Sequence, residues 1–178
     1  MAQDTVREVT LPEVVERTLA AVIAKPLGET KTTITVGSGL PPFVRVDGKW
    51  EVTDVLVDGT ATLKPGAKIL VHDANAAVRL RVHRELHRSG TARQFLTHRY
   101  APIAPAAGKK PRILFLRMGD GPGWPEWAYA IDGAAEGLDA VPDVRAALAV
   151  KFGPAVAKKP ASPPKPKPKP KPPAKKKR

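Results

Sequence analysis

The last 21 residues constrain the fold most, because they cannot take part in one. Residues 158–178 contain nine lysines, one arginine and eight prolines, with no acidic and no large apolar side chain. Proline removes a backbone donor and fixes φ, so alternating Lys-Pro forms neither a helix nor a sheet ladder and favours an extended chain. Such a segment cannot bury enough apolar surface to offset the entropy of ordering. We therefore expect one folded domain at residues 1–157, followed by a disordered tail at 158–178.

The tail also carries most of the charge. The whole chain has a net charge of +13, and the ten cations of the tail leave only +3 for the body. A flexible cationic segment binds polyanions without sequence preference, and its affinity falls as salt rises. Nucleic acid is the leading partner, an anionic membrane the second, and a spacer or solubilising role the alternative. The tail resembles the Lys/Pro/Ala-rich tails of linker-histone-like proteins. The candidate contacts are Lys165, Lys167, Lys169, Lys171, Lys175, Lys176, Lys177 and Arg178.

The composition of the body narrows the class of protein. Cysteine is absent, which excludes disulfides, thiolate nucleophiles and zinc ribbons. The charged N-terminus is followed by no signal-type apolar region, and no apolar run reaches the length of a membrane span. These observations predict a soluble, cytoplasmic protein.

The first half of the body predicts a helix followed by short hairpins. Residues 10–25 place apolar side chains on one helical stripe behind a capping Thr10, with Pro12 in the first turn. Lys31–Val36 is β-branched and predicts a strand. Asp47-Gly48 then predicts a tight hairpin turn, and Asp58-Gly59 and Pro65-Gly66 predict further turns before a strand at Lys68–His72.

The second half predicts a strand and a short helix around less regular segments. Residues 74–88 fit either a helix or one arm of a hairpin that returns through Thr91–Tyr100, and clean alternation favours the hairpin. Residues 101–110 read as a linker, Arg112–Met118 as a buried strand, and the segment from Pro142 to the Gly153 stop as a helix. The predicted class is α+β, a small antiparallel sheet of hairpins with an N-terminal amphipathic helix and a short C-terminal helix.

Part of this region resembles a known family. The pattern of a helix, a strand, a glycine, Pro-Pro and Arg-x-Asp-Gly is similar to the PAS-like N-terminal domain of type IV pilus and type II secretion ATPases. The positions are Gly37, Pro41, Pro42, Arg45, Asp47 and Gly48, and residues 79–96 resemble a later hairpin of that domain. The phosphate-binding loop G-x-x-x-x-G-K-[ST] is missing, so the resemblance implies an accessory module that docks on a larger assembly and not an ATPase.

An arginine-rich segment and a tryptophan loop are the candidate sites in the body. Arginine forks match phosphate, so the segment is a candidate for polyanion binding. Its arginines are Arg79, Arg81, Arg84, Arg88, Arg93 and Arg99. The Gly/Pro-rich loop 119–127 holds Trp124 and Trp127, which are candidates for partner binding because aromatic side chains anchor interfaces.

Catalytic and metal sites are weakly indicated. Asp120 and Glu126 are loop acids without a nucleophile nearby in sequence. His83 and His87 lack the glutamate that the metalloprotease motif places after its first histidine, so all four histidines are interpreted as solvated surface residues. We expect no cofactor, no metal and no catalysis. The prediction is a binding protein for nucleic acid, with a protein-interaction adaptor as the alternative; the oligomeric state is not predicted.

Overall fold

The computed structural model describes residues 5–35, 42–73 and 96–158. The fold is α+β. Its strands are β1 (Thr5–Val9), β2 (Ala20–Ile34), β3 (Phe43–Asp58), β4 (Lys68–His72), β5 (Leu96–Tyr100), β6 (Arg112–Met118), β7 (Trp127–Tyr129) and β8 (Ala135–Glu136). Its helices are α1 (Leu11–Arg17), a 3₁₀ turn at Leu138–Ala140, α2 (Val141–Phe152) and α3 (Ala155–Lys158).

Five of the strands close into a small barrel. Their order is β2-β3-β4-β7-β6, and β6 returns to pair with β2. All neighbours are antiparallel except β4 and β7, which are parallel. β2 serves two neighbours at once, because its residues 20–24 bond to β6 while its full length pairs with β3. Three register shifts in β2, the last beside Gly28 at φ +133°, permit the bend that this requires.

A second, two-stranded sheet and the helices cover one wall of the barrel. β1 and β5 pair in parallel, with Val9 opposite Tyr100. Side chains of β2 and β6 alternate between two cores, so that Val22 and Leu114 point into the barrel while Ile23 and Phe115 pack toward the helices. These two strands are therefore buried on both faces, which is typical of near-continuous apolar runs.

Helix α1 is held at both ends by side chains. Glu13 accepts hydrogen bonds from the Thr10 backbone N–H at 2.8 Å and the Thr10 hydroxyl at 3.1 Å. The bond from the Thr10 backbone is the main reason that the pKa of Glu13 is lowered. At the other end, the Lys151 ammonium of α2 donates to the carbonyl oxygens of Val15, Glu16 and Thr18 at 3.1, 2.6 and 2.8 Å. These bonds connect α2 to α1 and satisfy carbonyls that a helix end leaves open.

The predicted helix over residues 10–25 is wrong beyond Arg17, because Ala20–Ala24 form the doubly buried part of β2. The Asp47-Gly48 hairpin, on which the family resemblance depended, is also wrong. Residues 43–58 form one strand, with Asp47 paired to Thr30 on one side and His72 on the other. The Asp58-Gly59 hairpin is replaced by a loop in which Asp58 accepts bonds from Thr60 and Leu63.

Other predictions of secondary structure are confirmed. β4 and β6 have the predicted bounds, and α2 ends at Gly153 as expected. The predicted antiparallel pairing is present in the larger sheet, where only β4 and β7 pair in parallel, whereas the two-stranded sheet of β1 and β5 is parallel. Leu96–Tyr100 pairs with β1, and the rest of the predicted 74–100 hairpin lies outside the described residues.

The predicted linker at 101–110 is attached to the body. The carboxylate of Glu136 is fully buried and accepts hydrogen bonds from the Tyr100 hydroxyl and from the backbone N–H groups of Ile103 and Ala104. Burial, followed by the Glu136 contact, raises the pKa of Tyr100. The Gly137 N–H donates to the Ala104 oxygen at 2.6 Å. The segment is therefore a surface connection within one unit.

Candidate functional site

The loop from Gly119 to Glu126, between β6 and β7, is shaped by its glycines. The Gly119 N–H donates to the Glu126 oxygen at 2.8 Å, which closes the base of the loop. A Cβ at Gly119 would lie 1.9 Å from the Pro125 oxygen, so no other residue fits there without movement. Gly121 and Gly123 have φ of +118° and +79°, the left-handed region that favours glycine. This backbone places Trp124 over the outer face of β3 and β4.

Beneath the loop, an aspartate joins an arginine to a histidine. Asp47 and His72 are directly opposite in the β3–β4 ladder, and Arg45 lies two residues earlier on the same face of β3. Arg45 Nε donates to Asp47 Oδ2 at 2.8 Å, and His72 Nδ1 lies 3.0 Å from Asp47 Oδ1. Asp47 is 2% exposed and His72 is 8% exposed. The aspartate therefore fixes the orientation of both neighbours.

Trp124 closes this group from above. The Arg45 guanidinium carbon lies 4.7 Å from the centre of the Trp124 ring, a cation–π contact. The His72 ring meets the same indole edge-on, with centroids 4.8 Å apart and planes at 65°. Arg45 also donates to the Gly123 oxygen at 3.1 Å. We call Arg45, Asp47, His72 and Trp124 the β3–β4 cluster. Its three polar side chains are largely buried, and Trp124 is half-buried.

The surroundings of the cluster carry further polar groups. Residues that are paired across a ladder share a face, so Thr30 and Thr32 of β2 lie beside Asp47 and Arg45. Lys49, opposite Leu70, and Lys68, opposite Glu51, extend the same face along β3 and β4. The face is mildly basic and rich in hydrogen-bonding groups, which suits a polar ligand.

A second polar group lies where β4 ends. The carboxyl of Asp73 meets that of Asp132, near the Arg99 guanidinium. Burial, followed by the hydrogen bond and the charge of Asp132, raises the pKa of Asp73 to about 7, although the charge of Arg99 and a backbone hydrogen bond from Gly133 act to lower it. Burial, and then the charge of Asp73, raises the pKa of Tyr129. Among the described residues, no group of three or more acids, histidines or cysteines is arranged to hold a metal ion.

The predicted site residues divide three ways. Trp124 belongs to the β3–β4 cluster. Trp127 is 1% exposed inside the barrel, so its prediction as a partner-binding residue is wrong. Arg99 is exposed on β5 near Asp132. The remaining arginines of the segment, at 79–93, and the predicted tail cations lie outside the described residues.

The acids and histidines considered for catalysis do not converge. Asp120 pairs with Arg117 at 2.8 Å on the surface, and Glu126 is exposed. The interpretation of every histidine as solvated is wrong for His72. His83 and His87 lie outside the described residues.

Sequence reasoning missed Arg45, Asp47 and His72 as site residues. The interpretation of Asp47-Gly48 as a turn hid the signal, because only the β3–β4 register brings residues 47 and 72 together. No protein-family model, no curated protein and no solved structure matches this chain. In the described part of the chain, no helix is long and apolar enough to cross a membrane.

Proposed function

We propose that this chain is a non-catalytic nucleic-acid-binding protein of the cytoplasm, in which the barrel supplies a contact face and the cationic tail supplies affinity. The observation that carries the proposal is the β3–β4 cluster, an arginine, a histidine and a half-buried tryptophan on the outer face of a small barrel. Arginine and aromatic side chains are the groups with which proteins contact unpaired nucleotides.

The strand order supports the same function by analogy. A closed five-stranded barrel whose third and fifth strands are parallel has the connectivity of the OB-fold. OB-folds bind oligonucleotides and oligosaccharides on their second and third strands and on the loops that flank this face. Here the second and third barrel strands are β3 and β4, and the loop with Trp124 precedes the fifth. Because proteins with the same strand order have many different functions, the proposal depends on the side chains of the β3–β4 cluster, and the strand order is a second, weaker support.

The tail and the arginine-rich segment would act through phosphates. Ten positive charges follow a body of +3, and they attract any polyanion that approaches the barrel. Arg79, Arg81, Arg84, Arg88, Arg93 and Arg99 would add phosphate contacts from the body. Contacts of this kind carry no sequence information, so we propose binding that is largely independent of sequence.

The test is a salt series of binding to a fluorescent 20-nucleotide single strand. It compares the full chain with residues 1–157 and with a full-length variant whose ten tail cations are glutamine. The full chain should show a steep logarithmic salt slope, up to about −7 if all ten cations contact phosphate, because single strands give about −0.7 per contact. Both altered chains should bind more weakly with a shallower slope.

Equal binding by the three proteins, or a flat salt dependence, would contradict the role of the tail. The adaptor alternative, a module that docks on a larger assembly, predicts a protein partner captured equally by the full chain and by residues 1–157. A nuclease-treated pull-down with both proteins separates the two functions.

A further inference from the structure

We infer that helix α3 is a strap that opens from the body, and that Arg145, which holds the strap closed, binds Asp54 when it opens. The strap is the joint between the folded body and the cationic tail, because the tail begins at the last residue of α3. Opening needs no ligand, so the strap does not depend on the proposed function.

Arg145 of α2 and Asp54 of β3 form a buried pair that is not closed. Both residues are 7% exposed. Arg145 Nη2 lies 4.0 Å from Asp54 Oδ2, which is too far for a hydrogen bond. Both atoms are buried and have no hydrogen-bond partner. A buried charge without hydrogen bonds is costly, so a shorter distance between these two atoms would be favourable.

A backbone carbonyl of α3 holds the arginine in this position. Arg145 Nη1 donates to the Val156 oxygen at 3.0 Å. The guanidinium group is planar and rigid, so this bond also fixes where Nη2 lies. A charge-assisted hydrogen bond is about 2.8 Å long, so a displacement of about 1 Å would close the pair with Asp54. Arg145 therefore has a second partner within reach, and α3 keeps the two apart.

The connection between α2 and α3 has the properties of a hinge. Gly153 has φ +98° and ψ 163°, a region of backbone conformation that is essentially restricted to glycine. Pro154 follows it and cannot continue helix α2. The Val156 N–H donates to the Gly153 oxygen at 3.3 Å, which is long for such a bond. The strap can therefore turn about Gly153 while α2 stays in place.

Opening costs little because α3 is short. A helix of four residues is not stable by itself, and Val156 is only partly buried against the core under the helices. Opening exposes this side chain and breaks the bond from Arg145 to its carbonyl. In exchange, Arg145 and Asp54 form a hydrogen bond between two charged groups, which is the stronger kind. Opening also frees residues 154–157, which adds about 12 Å to the reach of the tail at roughly 3 Å per residue.

Limited trypsin digestion of the full chain measures the opening. The bond after Lys158 is cut only when α3 is extended, whereas the bond after Lys151 is cut only when α2 unfolds. When closing is faster than cleavage, each rate follows the population of the corresponding open form. Asp54→Asn removes the charge that receives Arg145, so it should slow cleavage after Lys158 about five- to tenfold, the difference between a charged and a neutral hydrogen bond. A substitution that only destabilises the fold would speed cleavage at both bonds.

Asp143→Asn is the matched control, because it removes an exposed acid from the same helix as Arg145 and should leave the rate after Lys158 unchanged. Val156→Gly removes the side chain that packs the strap, and it should speed cleavage after Lys158 and shift the NMR signals of the Arg145 Nη hydrogens. This variant keeps the strap testable if Asp54→Asn does not fold.

Three results would overturn the strap. The first is a rate after Lys158 that is unchanged or faster in folded Asp54→Asn. The second is equal cleavage after Lys158 and Lys151 in the wild type, since α3 would then open only with the whole fold. The third is identical Arg145 signals in the wild type and in Val156→Gly. None of these results depends on whether the chain binds nucleic acid.

Discussion

Replacing Asp73 with asparagine should stabilise the protein at alkaline pH and have little effect at acidic pH. The folded-state pKa of Asp73 is raised from 3.8 to about 7, first by burial and then by Asp132. Between these values the folded protein keeps a proton that the unfolded chain releases, so raising the pH across this window costs stability. Asparagine resembles the protonated acid at every pH and removes the cost.

The size of the effect follows from the pKa. The interval from 3.8 to about 7 corresponds to about 4 kcal/mol at 1.36 kcal/mol per pH unit. Solvent at the partly exposed carboxyl reduces this upper value, so we expect the stability difference between Asp73→Asn and the wild type to grow by about 2–4 kcal/mol between pH 4 and pH 8. Asp132→Asn should reduce the same pH dependence, because it removes the like charge.

Urea unfolding followed by tryptophan fluorescence at five pH values between 4 and 8.5 measures this difference. The control is Asp120→Asn, which removes an exposed acid and should change the unfolding free energy by less than about 1 kcal/mol at every pH. A stability difference for Asp73→Asn that is independent of pH, or that shrinks as pH rises, would refute the reasoning.

Four further substitutions test the fold. Lys151→Met removes a charged donor from three carbonyls of α1 and should cost about 1–3 kcal/mol of unfolding free energy; an unchanged urea midpoint would show that these bonds do not matter. Trp127→Ala should lower the free energy of unfolding by about 3–5 kcal/mol, because it leaves a cavity in the barrel interior. Trp124→Ala should lower it clearly less. Calorimetry that finds Trp124→Ala the more destabilising of the two would contradict the core position of Trp127. Gly119→Ala should displace the loop, because the new Cβ would lie too close to the Pro125 oxygen. The displacement should speed hydrogen exchange at the backbone amide of residue 119. An unchanged exchange rate would count against this geometry.

The sequence was sufficient where one signal decided the outcome. Helix α2 ends at Phe152, directly before Gly153, the glycine that predicted its end. Strand β6 was predicted because it is a short apolar run between polar residues. It was insufficient at Ala20–Ala24, because a run buried on both faces has the same apolar pattern in a strand as in a helix. Asp47-Gly48 failed for another reason. Local turn preference was overridden by pairing with β2 and β4, which are distant in sequence.

The site was less predictable than the fold. Trp124 and Trp127 are three residues apart and chemically identical, yet one covers the cluster and the other fills the barrel. Trp124 lies in the loop and Trp127 is the first residue of β7, and this difference in backbone position cannot be inferred from residue composition. His72 is remote in sequence from Arg45, so their meeting at Asp47 depends on the β3–β4 register alone.

The double burial of β2 has a consequence for how the molecule opens. Val22 belongs to the barrel interior and Ile23 to the core under the helices, and both are carried by the same short stretch of backbone. Neither core can come apart without exposing the other side of that stretch. The barrel and the helical layer should therefore behave as one cooperative unit, in which the slowest amides of β2, β6 and α2 exchange with a common free energy equal to that of global unfolding.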